Sequence, residues 1–243
     1  MNESYLIVGG SSDIAIVTAN MLLNEGKAVT LHVRNKNRVD DLKERGASII
    51  VGDALDSESL NKAMEKALEN GNGKIDGIAH LVGSIKIKPP HAITLEDFNE
   101  VINTNLTTAF LTLSMGGKKM LRNGGGRMVF TSSVAGSLGL INHEAIAAAK
   151  GGIESMVRSA AATYAKRGIR INAVAPGLTE TRLTETLLKS DLIRDASEKM
   201  IPLKRINKPE EIAKSITWLL ADAPDNLTGQ ILHLDGGMSK ILV

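Results

Sequence analysis

Three stretches of this chain carry chemistry through their residue types and spacing. The first is Val8-Gly9-Gly10-Ser11-Ser12-Asp13-Ile14-Ala15. A Gly/Ser turn between a first strand and a first helix brings backbone N–H groups up to a pyrophosphate. The positive end of the helix favours the same charge. Ser11 and Ser12 add hydroxyl donors, whereas Asp13 would repel a phosphate if its carboxylate pointed inwards. A tight turn without a ligand is the bland alternative, and the place directly after the N-terminal strand weighs against it. The second stretch is His32-Val33-Arg34-Asn35-Lys36-Asn37-Arg38, with no acid before Asp40. An acid at the end of a second strand binds both ribose hydroxyls of an adenosine, and a base accommodates a 2′-phosphate. Arg34, beside Asn35, can pair with phosphate bidentately and stack on adenine, unless the stretch is only a solvated basic loop. The third is the pair His143 and Lys150, nearly two helical turns apart, so both project from one face. An imidazole there can hydrogen-bond a ketone or thioester oxygen and stabilise an alkoxide or enolate. A helix N-terminus lowers its pKa and favours the neutral donor. His143 can equally be a polar first-turn residue beside an Asn142 cap.

The rest of the composition narrows the setting. At 243 residues, with 43% hydrophobic and 23% charged, the chain can bury a sizeable core and is neither disordered nor collagen-like. It contains no cysteine, which removes disulfides, thiol catalysis and Cys-based metal sites and fits a reducing, cytoplasmic setting. A net charge of +2 and an aromatic content of 2% argue against nucleic acid as a partner. No apolar run is long enough to span a membrane, and Met1 to Val8 has no signal-peptide pattern.

Short apolar β-branched runs alternate with helical patterns along the whole chain. Strands are predicted at Tyr5 to Val8, Ala28 to Val33, Ser48 to Val51, Ile78 to Val82, Met128 to Thr131, Ile169 to Ala175 and Ile231 to Leu234. Helices are predicted at Asp13 to Glu25, Val39 to Arg45, Ser57 to Glu69 with Ser57 as cap, and Thr94 to Leu121 in two pieces. Two more follow, His143 to Arg167 with Asn142 as cap and Gly168 as stop, and Pro209 to Ala221. Such alternation implies right-handed crossovers and one doubly wound α/β domain over residues 1–243, with an approximately seven-stranded parallel sheet. Leu178 to Pro202 is the longest piece without a strand and lies beyond a strand end. It reads as a substrate lid or as a surface helix pair.

These residues resemble the short-chain dehydrogenase/reductase family over essentially the whole chain. That family carries a Gly-x-x-x-Gly-x-Gly turn; Gly9 matches its first glycine, and Asp13 and Ala15 stand at the second and third. Asp53-Ala54 resembles its adenine-contacting pair. His80-Leu81-Val82-Gly83 stands where the family usually has Asn-Asn-Ala-Gly, with Gly83 kept for close backbone approach. His80 itself reads as an ordinary buried strand histidine. Asn105 matches the family's helix asparagine, Ser133 its serine, Lys150 its lysine, and Pro176-Gly177-Leu178-Thr179 the turn facing the nicotinamide amide. Gly229-Gln230 and Asp235-Gly236-Gly237 match its C-terminal strand and turn.

The resemblance implies a Rossmann domain that binds NADP(H) and transfers a hydride to or from a small molecule. Lys150 then orients the nicotinamide ribose, Ser133 binds the substrate oxygen, and Asn105 holds a water. Ile146 occupies the family's tyrosine position, four residues before Lys150, and has no proton to give. Tyr164 lies roughly 21 Å further along the helix at 1.5 Å per residue, and Tyr5 sits in the first strand. The family's bacterial enoyl reductases place their tyrosine seven residues before lysine, where this chain has His143. Reduction of a carbonyl or a conjugated enoyl group with a nonstandard site is the expectation; an NADP(H)-binding sensor or scaffold without turnover is the alternative. Family members form dimers or tetramers, and the alanine-rich helix from Glu144 with the apolar tail Ile241-Leu242-Val243 fits a homo-dimer or homo-tetramer.

Overall fold

The computed structural model describes residues 3–242, so Val243 of the apolar tail lies outside the described residues. Seven parallel strands form one sheet in the order β3-β2-β1-β4-β5-β6-β7. They are β1 (Ser4–Val8), β2 (Ala28–Val33), β3 (Ser48–Val51), β4 (Gly77–His80), β5 (Gly126–Thr131), β6 (Ile169–Pro176) and β7 (Ile231–Leu234). β1 is buried at every position. Alternation sends Leu6 and Val8 to one apolar layer and Tyr5 and Ile7 to the other, which is why the strand reads as an unbroken apolar run. The first layer lies under α3 (Ser57–Asn70), α5 (Thr108–Arg122) and α6 (Glu144–Tyr164). The second lies under α1 (Asp13–Asn24), α2 (Asp40–Glu44) and α9 (Pro209–Ala221), with α1 packed on α9. The expected single doubly wound domain is therefore present. Strand order reverses between β1 and β4, which opens a crevice at their carboxyl ends.

Several local details differ from the sequence reading. Asp56, not Ser57, caps α3, because its carboxylate reaches both Glu58 N (3.0 Å) and Ser59 N (3.2 Å). Position 143 caps α6 without a side-chain bond to the helix, and Asn142 instead takes a left-handed turn at φ 63°. α6 ends at Tyr164 and tightens into a 3-10 turn, Ala165–Arg167, before Gly168 stops it at φ 72°. The two pieces expected after Thr94 are α4 (Leu95–Ile102) and α5, joined by a π-helical turn at Asn103–Thr107. Residues 178–202 hold two short helices, α7 (Glu185–Leu188) and α8 (Asp191–Met200), neither with a buried residue.

Candidate active site

The phosphate turn is held by backbone geometry. Gly9 and Gly10 both donate to His32 O at 3.0 Å, which fixes the turn against the end of β2. Gly9 sits at φ 83°, and a Cβ there would lie 2.7 Å from the Leu81 carbonyl carbon and the Val82 nitrogen. Only glycine fits such a position. Ser12 caps α1 by accepting from Ala15 N at 3.2 Å. The N–H groups of Asp13 and Ile14 have no acceptor among the described residues. Two unpaired donors at a helix N-terminus, behind a glycine turn with no room for a side chain, fit the pyrophosphate of a dinucleotide.

Asp13 turns away from that opening. Its carboxylate accepts from Arg38 Nη2 at 2.7 Å and Arg182 N at 2.8 Å, and Arg182 Nε lies 3.4 Å from it. Burial alone would raise its pKa, but the bonds to Arg182 and Arg38 outweigh that and hold it below the usual carboxylate value. Ser11 offers its carbonyl to the same two arginines, at 3.2 Å for Arg182. Arg34 and Asn35 are exposed at the end of β2. Asp53 is exposed after β3 and accepts from Leu55 N at 2.8 Å, while Ala54 packs in the core. Arg38 stood inside the basic stretch of the sequence without being singled out. Arg182 lies 169 residues beyond Asp13, and no spacing signals the contact.

The other strand ends bring the remaining residues together. Leu81 donates to Val8 O at 2.7 Å and carries the chain to Gly83. A Cβ on Gly83 would lie 3.4 Å from Asn105 Oδ1 and 3.7 Å from Lys150 Nζ, so β4's end, the π-helical turn and α6 converge there. Asn105 is fully buried, donates to Ser84 Oγ (3.0 Å) and Val101 O (2.9 Å), and accepts from Ser84 N (3.2 Å). Both amide hydrogens are used; one Oδ1 lone pair remains for a water. Lys150 is 5% exposed, donates to Thr131 O at 2.9 Å, and is lowered by burial to a pKa of about 8.

The two serines after β5 divide their work. Ser132 points inward and donates to Glu154 Oε1 at 2.8 Å; Ser133 is half-buried, and its Oγ accepts from Ala135 N at 3.2 Å. That bond leaves the Ser133 hydroxyl hydrogen for a substrate oxygen. Pro176 is buried, and Gly177 donates to Leu234 O at 2.9 Å. Thr179 is buried, with its hydroxyl on Gly177 O at 3.0 Å.

Ile146 is 3% exposed within an apolar cluster that includes Val101, Ala135, Ala145 and Ala149. His143 Nδ1 bonds Ile141 O at 2.7 Å. A carbonyl only accepts, so the proton is on Nδ1 and a neutral ring leaves Nε2 as an acceptor. The sequence reading of His143 as a neutral donor is therefore corrected: in this geometry Nε2 donates only as imidazolium. His80 is fully buried, bonds Thr108 Oγ1 at 2.9 Å, and is pushed down to a pKa of about 3 by burial and then by Lys150. Tyr5 and Tyr164 are both remote from this cluster. The Tyr5 hydroxyl lies 3.4 Å from Glu3 at the amino end of β1, and the Tyr164 hydroxyl would be 3.0 Å from a Cβ at Gly117 on α5.

The sequence model of the family described as "Enoyl-(Acyl carrier protein) reductase" matches residues 9–239. The chain belongs to the short-chain dehydrogenase/reductase family. It is thus an oxidoreductase of that family. The chain is similar to the 3-oxoacyl-[acyl-carrier-protein] reductase MabA of Mycobacterium tuberculosis, at 31% identity over 98% of this chain and 93% of that protein. It is similar to the reductase FabG of Thermotoga maritima, which bears the same activity in its name, at 32% identity over 96% of each chain. Among solved structures, levodione reductase superposes with a TM-score of 0.90 at 31% identity, covering 99% of this chain and 98% of its own. ElxO, solved with NADP bound, superposes with a TM-score of 0.90 at 25% identity, covering 98% and 99%. No helix among the described residues is long and apolar enough to cross a membrane.

Proposed function

We propose that this short-chain dehydrogenase/reductase is an NADP(H)-dependent enzyme that moves a hydride to or from a carbonyl or conjugated enoyl carbon through a nonstandard site. The convergence of Lys150, Asn105 and Gly83 at the strand ends carries the reading. The nicotinamide cofactor supplies or accepts the hydride. Gly9, Ser11, Ser12, Asp13 and Ile14 border its phosphates, Arg34 and Asn35 its adenosine ribose, and Asp53 and Ala54 its adenine. Leu81 and Gly83 line the approach, and Pro176, Gly177 and Thr179 border the nicotinamide amide. Lys150 donates to the nicotinamide ribose hydroxyls, and Asn105 Oδ1 holds a water beside it. Ser133 donates to the substrate oxygen. Protonated His143 completes reduction by giving Nε2–H to that oxygen, and neutral His143 takes the proton in the reverse direction. Reduction thus adds one hydride to carbon and one proton to oxygen, or to the α-carbon of an enolate. A 3-oxoacyl or enoyl thioester suits this chemistry, in line with the activities named for the relatives. Residues 178–202 form the lid over the substrate, and the enzyme works as a homo-dimer or homo-tetramer.

The test is oxidation of NADPH across a panel of enoyl and 3-oxoacyl thioesters and ketones. His143→Ala should abolish turnover and leave NADPH affinity nearly intact; unchanged turnover removes His143 from the mechanism. The packed Ile146 favours a second reading, an NADP(H)-binding sensor with no turnover. NADPH binding without oxidation on any panel member selects it. Elution as a monomer in size-exclusion chromatography counts against the oligomer.

A further inference from the structure

Two arginines from distant parts of the chain meet at the phosphate turn. Arg38 follows β2, and Arg182 lies in the lid segment between β6 and α7. Both reach the Ser11 carbonyl and the Asp13 carboxylate. One carboxylate is shared by two guanidiniums at the rim of the cofactor turn, and neither arginine has a second acid within ion-pair distance among the described residues. Further acids line the adjoining groove: Glu180 pairs with Arg194 at 2.6 Å, Glu185 pairs with Lys189 at 3.2 Å, and Glu210 has no ion-pair partner among the described residues. The side chains of Arg38, Arg182 and Asp13 are 31%, 54% and 23% exposed. They border an open groove of about 640 Å³ beside α1. Exposed ion pairs contribute little, so exchanging the partner of either arginine costs little. A phosphate dianion offers more charge and more acceptor oxygens than a carboxylate, in a shape that suits a guanidinium fork. A ribose hydroxyl offers neither.

We propose that Arg182 is a cofactor-specificity residue carried by the lid: with Arg38 it takes the 2′-phosphate of NADP(H), which replaces Asp13 as its partner, so that the phosphorylated cofactor repositions the lid and NAD(H) does not. This rests on the NADP(H) reading above and adds to it a link between the adenosine end of the cofactor and the segment over the substrate. Asp13 then acts as an internal stand-in anion, holding the two arginines in place until the phosphate arrives.

Fluorescence titration with NADPH and with NADH tests this in wild type, Arg182→Ala, Arg182→Lys and Asp13→Asn. Arg182→Ala should weaken NADPH about tenfold or more and leave NADH within about twofold. Arg182→Lys should recover part of the loss, because it keeps the charge without the fork. Asp13→Asn should tighten NADPH by removing the competing carboxylate. Thermolysin cleavage near Leu192 and Ile193, which are 81% and 43% exposed, reports the lid independently. NADPH should change the cleavage rate in wild type but not in Arg182→Ala, and NADH should change it in neither. If wild type prefers NADPH and Arg182→Ala keeps the full preference, the assignment of Arg182 is overturned while the NADP(H) reading stands. Equal affinity of wild type for NADH and NADPH overturns both.

Discussion

Lys150 is a cation with no carboxylate against it among the described residues, and desolvation brings its pKa to about 8. Its ammonium form, to which we assign the donation to ribose hydroxyls, is full below that value and drains away above it. NADPH affinity should therefore fall as pH rises through about 8, and Lys150→Met should bind weakly at every pH with that dependence gone. The sign for stability is opposite. Between about 8 and the ordinary lysine value of 10.5 the unfolded chain holds a proton that the folded chain has lost, so the folded state gains stability as pH rises across that window. Position 146 invites a second test. Ile146→Tyr puts a phenol one helical turn before Lys150, at a site already packed by Val101 and Ala149. It should cost about 1–3 kcal/mol in urea unfolding for overpacking. Ketone reduction in the surviving protein would support the reading that a missing phenol limits the site; no gain would count against it. Most of these residues were legible in the sequence because motif spacing on one helix or one turn fixes them. The tautomer of His143 was not, since it depends on where the Ile141 carbonyl falls in the turn before α6.

At the scale of elements, the π-helical turn between α4 and α5 matters most. One extra residue in the turn presents Asn105 inward, where its amide meets Ser84 as well as the Val101 carbonyl one turn back. Asn105→Ala leaves Ser84 N and Val101 O short of partners in a buried place. It should cost about 1–3 kcal/mol and weaken NADPH binding through a displaced Gly83-Ser84, read by urea denaturation and titration together. The phosphate turn is less forgiving. Gly9→Ala combines a left-handed backbone with a Cβ 2.7 Å from Leu81, and should cost on the order of 3 kcal/mol or more, read as a large fall in melting temperature. Glycine at position 9 was predictable from the turn it punctuates. The π-helical turn was not, because Asn103-Thr104-Asn105 reads as ordinary helix until packing against α6 and the chain after β4 decides otherwise.

For the whole molecule, burial of imidazoles sets the acid limit of stability. His80 is buried on the α5 side of the sheet with a pKa of about 3, and burial also lowers His32. Below the ordinary histidine value of 6.5 the unfolded chain takes up a proton that folded His80 refuses. Stability should fall as pH drops from about 6.5 towards 3, by up to ~1.4 kcal/mol per pH unit for His80 alone. Urea midpoints at pH 7 and pH 5 measure this. His80→Leu should flatten the slope, and an unchanged slope would mean that His80 does not set it.

By itself the sequence determined the alternation of strand and helix, the glycine turn after the first strand, the unbroken apolar runs of a sheet covered on both faces, and the presence of Ile146 four residues before Lys150. All of these are local: they follow from backbone sterics, from periodicity, or from two residues sharing one helix. Only the tertiary structure decided that Asp13 faces Arg38 and Arg182, that Asn105 spends its amide hydrogens on Ser84 and Val101, and that Lys150 lies without a counter-charge among the described residues. Those depend on which strand ends are neighbours. The chain crosses the sheet several times between residues 13 and 182, and sequence order carries no measure of where such crossings bring two side chains together.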